Sequence, residues 1–371
     1  MPAPGAWRAP RMRRLAGRPS LSRVDDRTEL RLTVRPAPER PHAPAGQGLG
    51  VVGHDASVGR LHRSKVLLAR LRLVPSRRIA LPRRIDLPKT LGPMQRGRGD
   101  PTMRSGRGFV ERASRTPDGP VSVRFSESSG GIEVEAWGPG AGWVLDRAAA
   151  WCGAEDDDAG FDPPAGLVRD LWRRQPGLWI PRTGLVTERL IPVILEQKVT
   201  GGEARRAYRR LVTALAEPAP GPLSLTLPPD PERVAALPYY AFHPFGVERR
   251  RAEVVRSVCA RTAWIDETAA FELDVAEDRL SSLHGIGPWS VAEVARIALG
   301  DADAVSVGDY HVPNIVAWAL AREPRGSDER MLELLEPYRP HRGRVQRLLE
   351  TSGIRAPAFG PRMEPRAIDR I

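Results

Sequence analysis

Leu283-His284-Gly285-Ile286-Gly287-Pro288-Trp289 decides how this chain is read. It separates a short helical pattern over 276–283, with Leu280 and Leu283 three apart, from an apolar helical run between Trp289 and Leu299. Gly285 and Gly287 lack a Cβ and tolerate positive φ, so the backbone can reverse sharply between the two helices. Pro288 sits in the favoured first-turn position of the second helix. The free N–H groups at that helix start point outward at the positive end of the dipole, where a phosphate oxygen fits. Gly285, Ile286 and Gly287 are therefore the candidate DNA phosphate-binding backbone. An ordinary helical corner with glycine for chain reversal uses the same residues, and the hairpin alone leaves both readings open.

Asp309 breaks the tie. It lies 22 positions after Gly287, in Val305-Ser306-Val307-Gly308-Asp309-Tyr310-His311-Val312-Pro313-Asn314, ahead of a helical stretch reaching Ala321. An aspartate there caps a helix by accepting backbone N–H groups. The same carboxylate beside a bound sugar can stabilise positive charge at C1′ or orient an attacking water. Capping and catalysis are compatible, and Asp309 is the candidate catalytic residue.

A second pair of motifs extends the pattern: Gln175-Pro176-Gly177-Leu178-Trp179-Ile180-Pro181, then Ile194-Leu195-Glu196-Gln197-Lys198-Val199-Thr200. With these, residues 166–353 resemble the helix-hairpin-helix (HhH-GPD) DNA glycosylase superfamily, and within it the bacterial DNA-3-methyladenine glycosylase II type. The resemblance implies a mainly α fold and removal of alkylated purines from damaged double-stranded DNA after base flipping, by a monomer without a cofactor; the competing readings are a noncatalytic helix-hairpin-helix DNA-structure binder and a glycosylase for deaminated or oxidised bases. It places Ile180 as the wedge that fills the vacated stack, with Gln197 facing the same gap or the estranged base. Trp289 and Tyr310 would lie against the flipped base, whose positive charge favours electron-rich ring faces. Two departures limit the match. Glu293 stands where the resembling enzymes carry an aromatic, and Leu349 where they carry a tryptophan, so Tyr239, Tyr240, Phe242 and His243 are the candidates to complete the pocket. Bifunctional relatives use a lysine in the second hairpin helix for a Schiff base; Trp289 occupies that position here, which implies hydrolysis without strand cleavage.

Charge is unevenly spread. The chain carries a net +12 over 371 residues. Residues 1–100 hold 22 Lys and Arg against 7 Asp and Glu, and the remainder holds 35 against 38. The presumed catalytic part must therefore concentrate its positive charge locally to hold DNA, with Arg205, Arg206, Arg209, Arg210 and Arg249-Arg250-Arg251 as candidates. Residues 1–102 are Arg/Pro-rich with almost no aromatics and no sustained periodicity, which predicts a disordered basic tail. The favoured reading is a translated upstream region with the genuine start near Met103. No apolar run is long enough for a membrane span, and no compact signal-peptide pattern stands out.

Cys152 and Cys259 lie far apart with no Cys-x-x-Cys pair, which argues against a zinc ribbon or iron–sulfur cluster and for free thiols in a reducing cytoplasm. Val121, Val123 and Phe125 alternate with polar residues, as do Ile132, Val134 and Ala136, around Ser128-Ser129-Gly130-Gly131. That is a β-hairpin, predicted to belong to a small appendage and acidic linker over 121–165. The helical domain follows over 166–353, with Pro192 implying a kink or a late helix start, and 354–371 is a C-terminal tail.

Overall fold

The expected hairpin forms, but as the centre of a larger sheet. In a computed structural model, residues 30–34, 73–81, 83–358 and 368 are described. The strands are β1 (Leu30–Val34), β2 (Leu73–Ala80), β3 (Met103–Gly106), β4 (Phe109–Thr116), β5 (Gly119–Ser128) and β6 (Gly131–Trp137). They pair antiparallel in the order β1-β2-β6-β5-β4-β3. Alternation along β5 and β6 buries Val121, Val123, Phe125, Ile132, Val134 and Ala136 on one face. Gly130 takes φ +79° in the two-residue turn that sets the Ser128↔Gly131 register. Helix α2 (Ala141–Trp151) covers that face, with Val144, Leu145, Ala148 and Trp151 packed into it.

The boundary expected at residue 102 does not hold. Strand β2 pairs with β6, and helix α1 (Leu87–Leu91), capped by the Asp86 carboxylate, buries Leu87 and Leu91 in the sheet's core beside Ile79, Ile85, Met94 and Met103. Of the predicted tail, residues 1–29 and 35–72 lie outside the described residues, as do most of 354–371. Composition misled because the arginines of this segment find partners far along the chain. Arg77 pairs with Asp146, Arg83 with Asp158, and Arg96 with Glu196 at 2.7 Å. The acidic stretch 155–158 is likewise no free linker. Asp156 forms a buried two-pronged pair with Arg344 (2.7 and 2.7 Å) and accepts the Ile180 N–H at 3.0 Å.

From Leu167 the chain is helical, as expected. Helices α3 (Leu167–Arg174), α4 (Val186–Glu196), α5 (Gly201–Ala214), α6 (Pro231–Ala236), α7 (Arg249–Cys259), α8 (Thr262–Asp266) and α9 (Leu273–Ser281) precede the hairpin. Helices α10 (Pro288–Val294), α11 (Val312–Ala321), α12 (Asp328–Leu335) and α13 (Arg342–Thr351) follow it. Pro192 lies inside α4 with the helix starting at Val186, so there is no late start. Thr200 and Glu203 form a reciprocal capping box at the start of α5. Two cores result: one around α4, α5, α7 and α10, the other around α3, α11, α12 and α13. Both cysteines are free and buried, and burial pushes each thiol up to about 12. No helix among the described residues is long and apolar enough to cross a membrane.

Candidate functional site

The two hairpin glycines serve different purposes. Gly285 takes φ +83°, and a Cβ there would meet Val254 Cγ2 at 2.5 Å. It is required by the turn and by packing against α7. Gly287 has φ −105° and ψ −179°, extended backbone open to any residue, and a Cβ there would meet nothing within 4 Å. Ile286 is buried in the core, so only its backbone is available at the turn. Gln197, at the end of α4, donates through Nε2 to Gly285 O (2.9 Å) and Ser290 Oγ (3.0 Å). It braces the hairpin against the end of α4.

Asp309 does two things at once. Its Oδ1 accepts the N–H groups of His311 (2.7 Å) and Val312 (2.9 Å), holding the first turn of α11. Its Oδ2 accepts the indole N–H of Trp289 at 3.1 Å. The carboxylate thereby joins the start of α11 to the start of α10, and neither residue is fully buried. Gly308 takes φ +90°, a conformation that favours glycine, although a Cβ there would meet only the Trp289 Cβ at ordinary contact distance.

Trp289 and Asp309 form part of the wall of a cavity of about 320 Å³. Thr90, Pro93 and Arg96 close it from the segment between β2 and β3; Trp179, Ile180 and Pro181 come from the loop before α4. Arg189 and Glu196 of α4, Glu293, Arg296 and Ile297 of the hairpin helix, and Arg347 and Glu350 of α13 complete it. After Val294 helix α10 widens into a π-turn, Ala295–Leu299, which presents Arg296 and Ile297 to the cavity.

The lining is a network of ion pairs. Glu293 accepts from Arg189 Nη2 (2.9 Å), Ser306 Oγ (2.8 Å) and Arg296. Burial alone would raise the Glu293 carboxyl, but Arg296 and Ser306 hold it below the usual carboxylate range. Arg296 also reaches Glu350 (3.4 Å), which pairs with Arg347 (3.4 Å) and accepts from Gln346 (2.7 Å). Burial outweighs Arg96 at Glu196 and pushes that carboxyl up.

The structure brings Trp289, Asp309, Glu293 and Ile180 to one cavity and leaves other expected residues outside it. Tyr310 is 75% exposed, its ring edge-on to His311, and Tyr239 lies under Arg249 away from the cavity wall. Ile180 is only 4% exposed, which makes it cavity wall rather than a protruding wedge. Glu293 neither faces solvent nor is free for a base, because two arginines saturate it. Leu349 packs in the C-terminal core, and its neighbour Glu350 takes the place at the cavity. Arg251 is buried, pairs with Glu248 and donates to Leu195 O at 2.6 Å, so it holds α7 to α4 and is not surface charge for DNA. Arg205, Arg206 and Arg209 do remain exposed along α5. The residues missed by sequence reasoning are Arg96, Arg189, Glu196, Arg296, Arg347 and Glu350. Each reads alone as helix-surface charge, and only the i, i+3 spacings of Glu293 with Arg296 and Arg347 with Glu350 hinted at pairing.

No family model matches the chain. A curated relative from Mycobacterium tuberculosis, a probable bifunctional transcriptional activator/DNA repair enzyme AlkA, is 29% identical over 153 residues, which is 40% of this chain. The chain spans 30% of the length of that relative. Among solved structures, a 3-methyladenine DNA-glycosylase from Archaeoglobus fulgidus superposes with a TM-score of 0.63 at 19% identity, over 73% of this chain and 96% of that one. An 8-oxoguanine glycosylase/lyase from Clostridium acetobutylicum, in complex with double-stranded DNA, superposes with a TM-score of 0.57 at 11% identity, over 75% and 96% of the two chains. The fold is that of these helix-hairpin-helix DNA glycosylases.

Proposed function

We propose that this chain is a DNA glycosylase that flips a damaged purine out of the duplex and hydrolyses its N-glycosidic bond, with alkylated purines of the 3-methyladenine type as the first substrate class. The observation that carries the reading is the Trp289–Asp309 contact: one cavity wall holds both a flat aromatic surface for a base and a carboxylate beside it. At about 320 Å³ the cavity has the size of a site for one small flat ligand. The Gly285-Ile286-Gly287 turn lies one residue from Trp289, so a phosphate gripped by the backbone at Gly287 would bring its own nucleotide to the cavity.

In the reaction, the C1′–N bond breaks and its electron pair leaves with the base. An alkylated purine is already positively charged and leaves as a neutral molecule. The sugar becomes oxocarbenium-like, the Asp309 carboxylate stabilises it, and water adds to C1′ while releasing a proton. Among the described residues no lysine lines the cavity, and Lys198 is the one lysine after residue 102, which supports hydrolysis without a Schiff-base step. The product is free base and an abasic strand. The alternative of excising oxidised or deaminated bases draws on the same aspartate and is favoured by the polar cavity lining.

Incubation of the full chain with methylated duplex, followed by chromatography of released bases, tests the reading. Free methylpurine should appear with the strand intact until alkali is added. No release from methylated, deaminated or oxidised duplex refutes it.

A further inference from the structure

Two of the chain segments that line the cavity, through Arg96 and Glu196, leave it carrying a cation. Arg98 and Lys198 each stand two residues further on, and both are exposed. Helix α5 begins just after Lys198 and adds Arg205, Arg206 and Arg209, also exposed. Glycines let these segments meet. A Cβ on Gly97 would stand 2.6 Å from Arg205 Cδ, and one on Gly99 would stand 2.9 Å from Arg209 Nη1. The two arginines of α5 thus lie against the loop that carries Arg98.

None of these five cations forms an ion pair with a described residue. The carboxylates of the same segments are already used: Glu196 by Arg96 at 2.7 Å, Glu203 in the capping box of α5, and Asp100 by the N–H groups of Arg96 (2.7 Å) and Thr102 (2.9 Å). Surface arginines elsewhere do pair, as Arg249 with Glu253, Arg279 with Glu267 and Arg330 with Glu323. Arg205 and Arg209 are also four apart on one helix face, a like-charge spacing that weakens a helix. Residues 101–371 hold 35 Lys and Arg against 38 Asp and Glu, so this is a local concentration of positive charge in a nearly neutral half, and a polyanion relieves it.

Position ties the patch to the hairpin. Gln197, one residue before Lys198, donates to Gly285 O and Ser290 Oγ. Lys198 itself takes φ +54°, a conformation costly for a residue with a side chain and one that clusters at functional positions. Resting on the glycosylase reading above, we propose that Arg98, Lys198, Arg205, Arg206 and Arg209 form a second clamp at the cavity rim, which grips backbone phosphates of double-stranded DNA beside those held by the Gly285-Ile286-Gly287 turn. Contacts to phosphate position the duplex and carry no sequence information, so the patch holds undamaged and damaged DNA alike. Through Arg98, the segment between β2 and β3 becomes part of the DNA-binding surface.

The test is the salt dependence of affinity, measured by fluorescence anisotropy with the full chain and an undamaged duplex. Each phosphate contact adds about 0.9 to the slope of log affinity against log salt. Arg205→Gln/Arg209→Gln and Arg98→Gln/Lys198→Gln should each lower that slope by about 2 and cut affinity at about 0.1 M salt by about tenfold or more. Both should melt like the wild type, because no ion pair is lost. Arg147→Gln/Arg173→Gln removes the same charge from exposed positions on α2 and α3 and should leave the slope unchanged. Single-turnover base release from methylated duplex at saturating protein should keep the wild-type rate in all three, since the patch holds the duplex and does not touch the glycosidic bond. A wild-type slope in either patch variant, an equal drop in the α2/α3 variant, or release lost at saturation overturns the proposal. Absence of release by the wild type from methylated, deaminated and oxidised duplex refutes the glycosylase reading instead, and the slopes still decide whether the patch binds DNA.

Discussion

Asp309→Asn separates the two tasks of the aspartate, because its two oxygens have different partners. Oδ1 takes two backbone N–H groups of α11, and Oδ2 takes the Trp289 indole N–H at 3.1 Å. An asparagine has one oxygen. If that oxygen keeps the helix cap, the amide NH₂ faces the indole N–H, donor against donor. If it turns to the indole, the cap of α11 is lost. Either arrangement forfeits one hydrogen bond to a charged group, about 1.5–3 kcal/mol where buried and less at this half-buried site. We expect ~1 kcal/mol, which lowers the thermal midpoint by about 1–2 °C in a chain of this size. Catalysis should suffer far more, since the charge that stabilises the sugar cation is gone. Single-turnover excision should fall by about two orders of magnitude or more, with affinity for an abasic duplex unchanged or higher. Trp289→Phe provides the comparison: it removes the indole hydrogen bond and part of the ring but keeps both an aromatic face and the charge, so its thermal cost should be at least as large and its excision loss smaller. Normal excision by Asp309→Asn would mean that the residue is only a cap, and the catalytic assignment would be wrong.

Other consequences are as direct. Gly287→Val should leave thermal stability nearly unchanged, because open space surrounds the position, yet abolish DNA binding by gel shift; Gly285→Val should instead destabilise the fold by about 1–3 kcal/mol or more, from a strained φ and a clash with Val254. Retained binding by Gly287→Val removes the phosphate role of the hairpin. Deletion of residues 1–102 strips β2 and α1 from the sheet's core and Arg96 from the cavity, so the truncated chain should be insoluble or inactive; a soluble, active product contradicts the sheet order. Burial and the neighbouring Asp301 raise the Glu277 carboxyl to about 7. With the folded-state value above the unfolded one, the native state holds the extra proton between about pH 4.5 and 7. Stability should therefore decline as pH rises through that window, and Glu277→Gln should flatten the decline in thermal melts recorded from pH 4 to pH 8.

The helical half of the protein was legible residue by residue, and the sheet half was not. Helix starts are local: Pro288 after a glycine turn, Thr200 three positions before Glu203, and Asp309 ahead of Val312 carry their own capping chemistry within a few residues. The β5–β6 hairpin was equally local, with period-two alternation around a two-residue turn. Strand β2 was missed because its stability comes from β6, more than fifty residues later, and because charge counted along the chain cannot register that Arg77, Arg83 and Arg96 are neutralised by Asp146, Asp158 and Glu196. The same physics divides the site. Asp309 and the hairpin glycines announce themselves through spacing, since their roles are set by the backbone they sit on. Whether Tyr310 faces a base or solvent, whether Ile180 protrudes or lines a wall, and whether Glu293 is free or saturated all depend on side chains converging from six separate segments. Sequence determined the scaffold and the acid; the cavity's chemistry is a product of tertiary packing, because an ion pair exists only where the fold brings both partners within hydrogen-bonding distance.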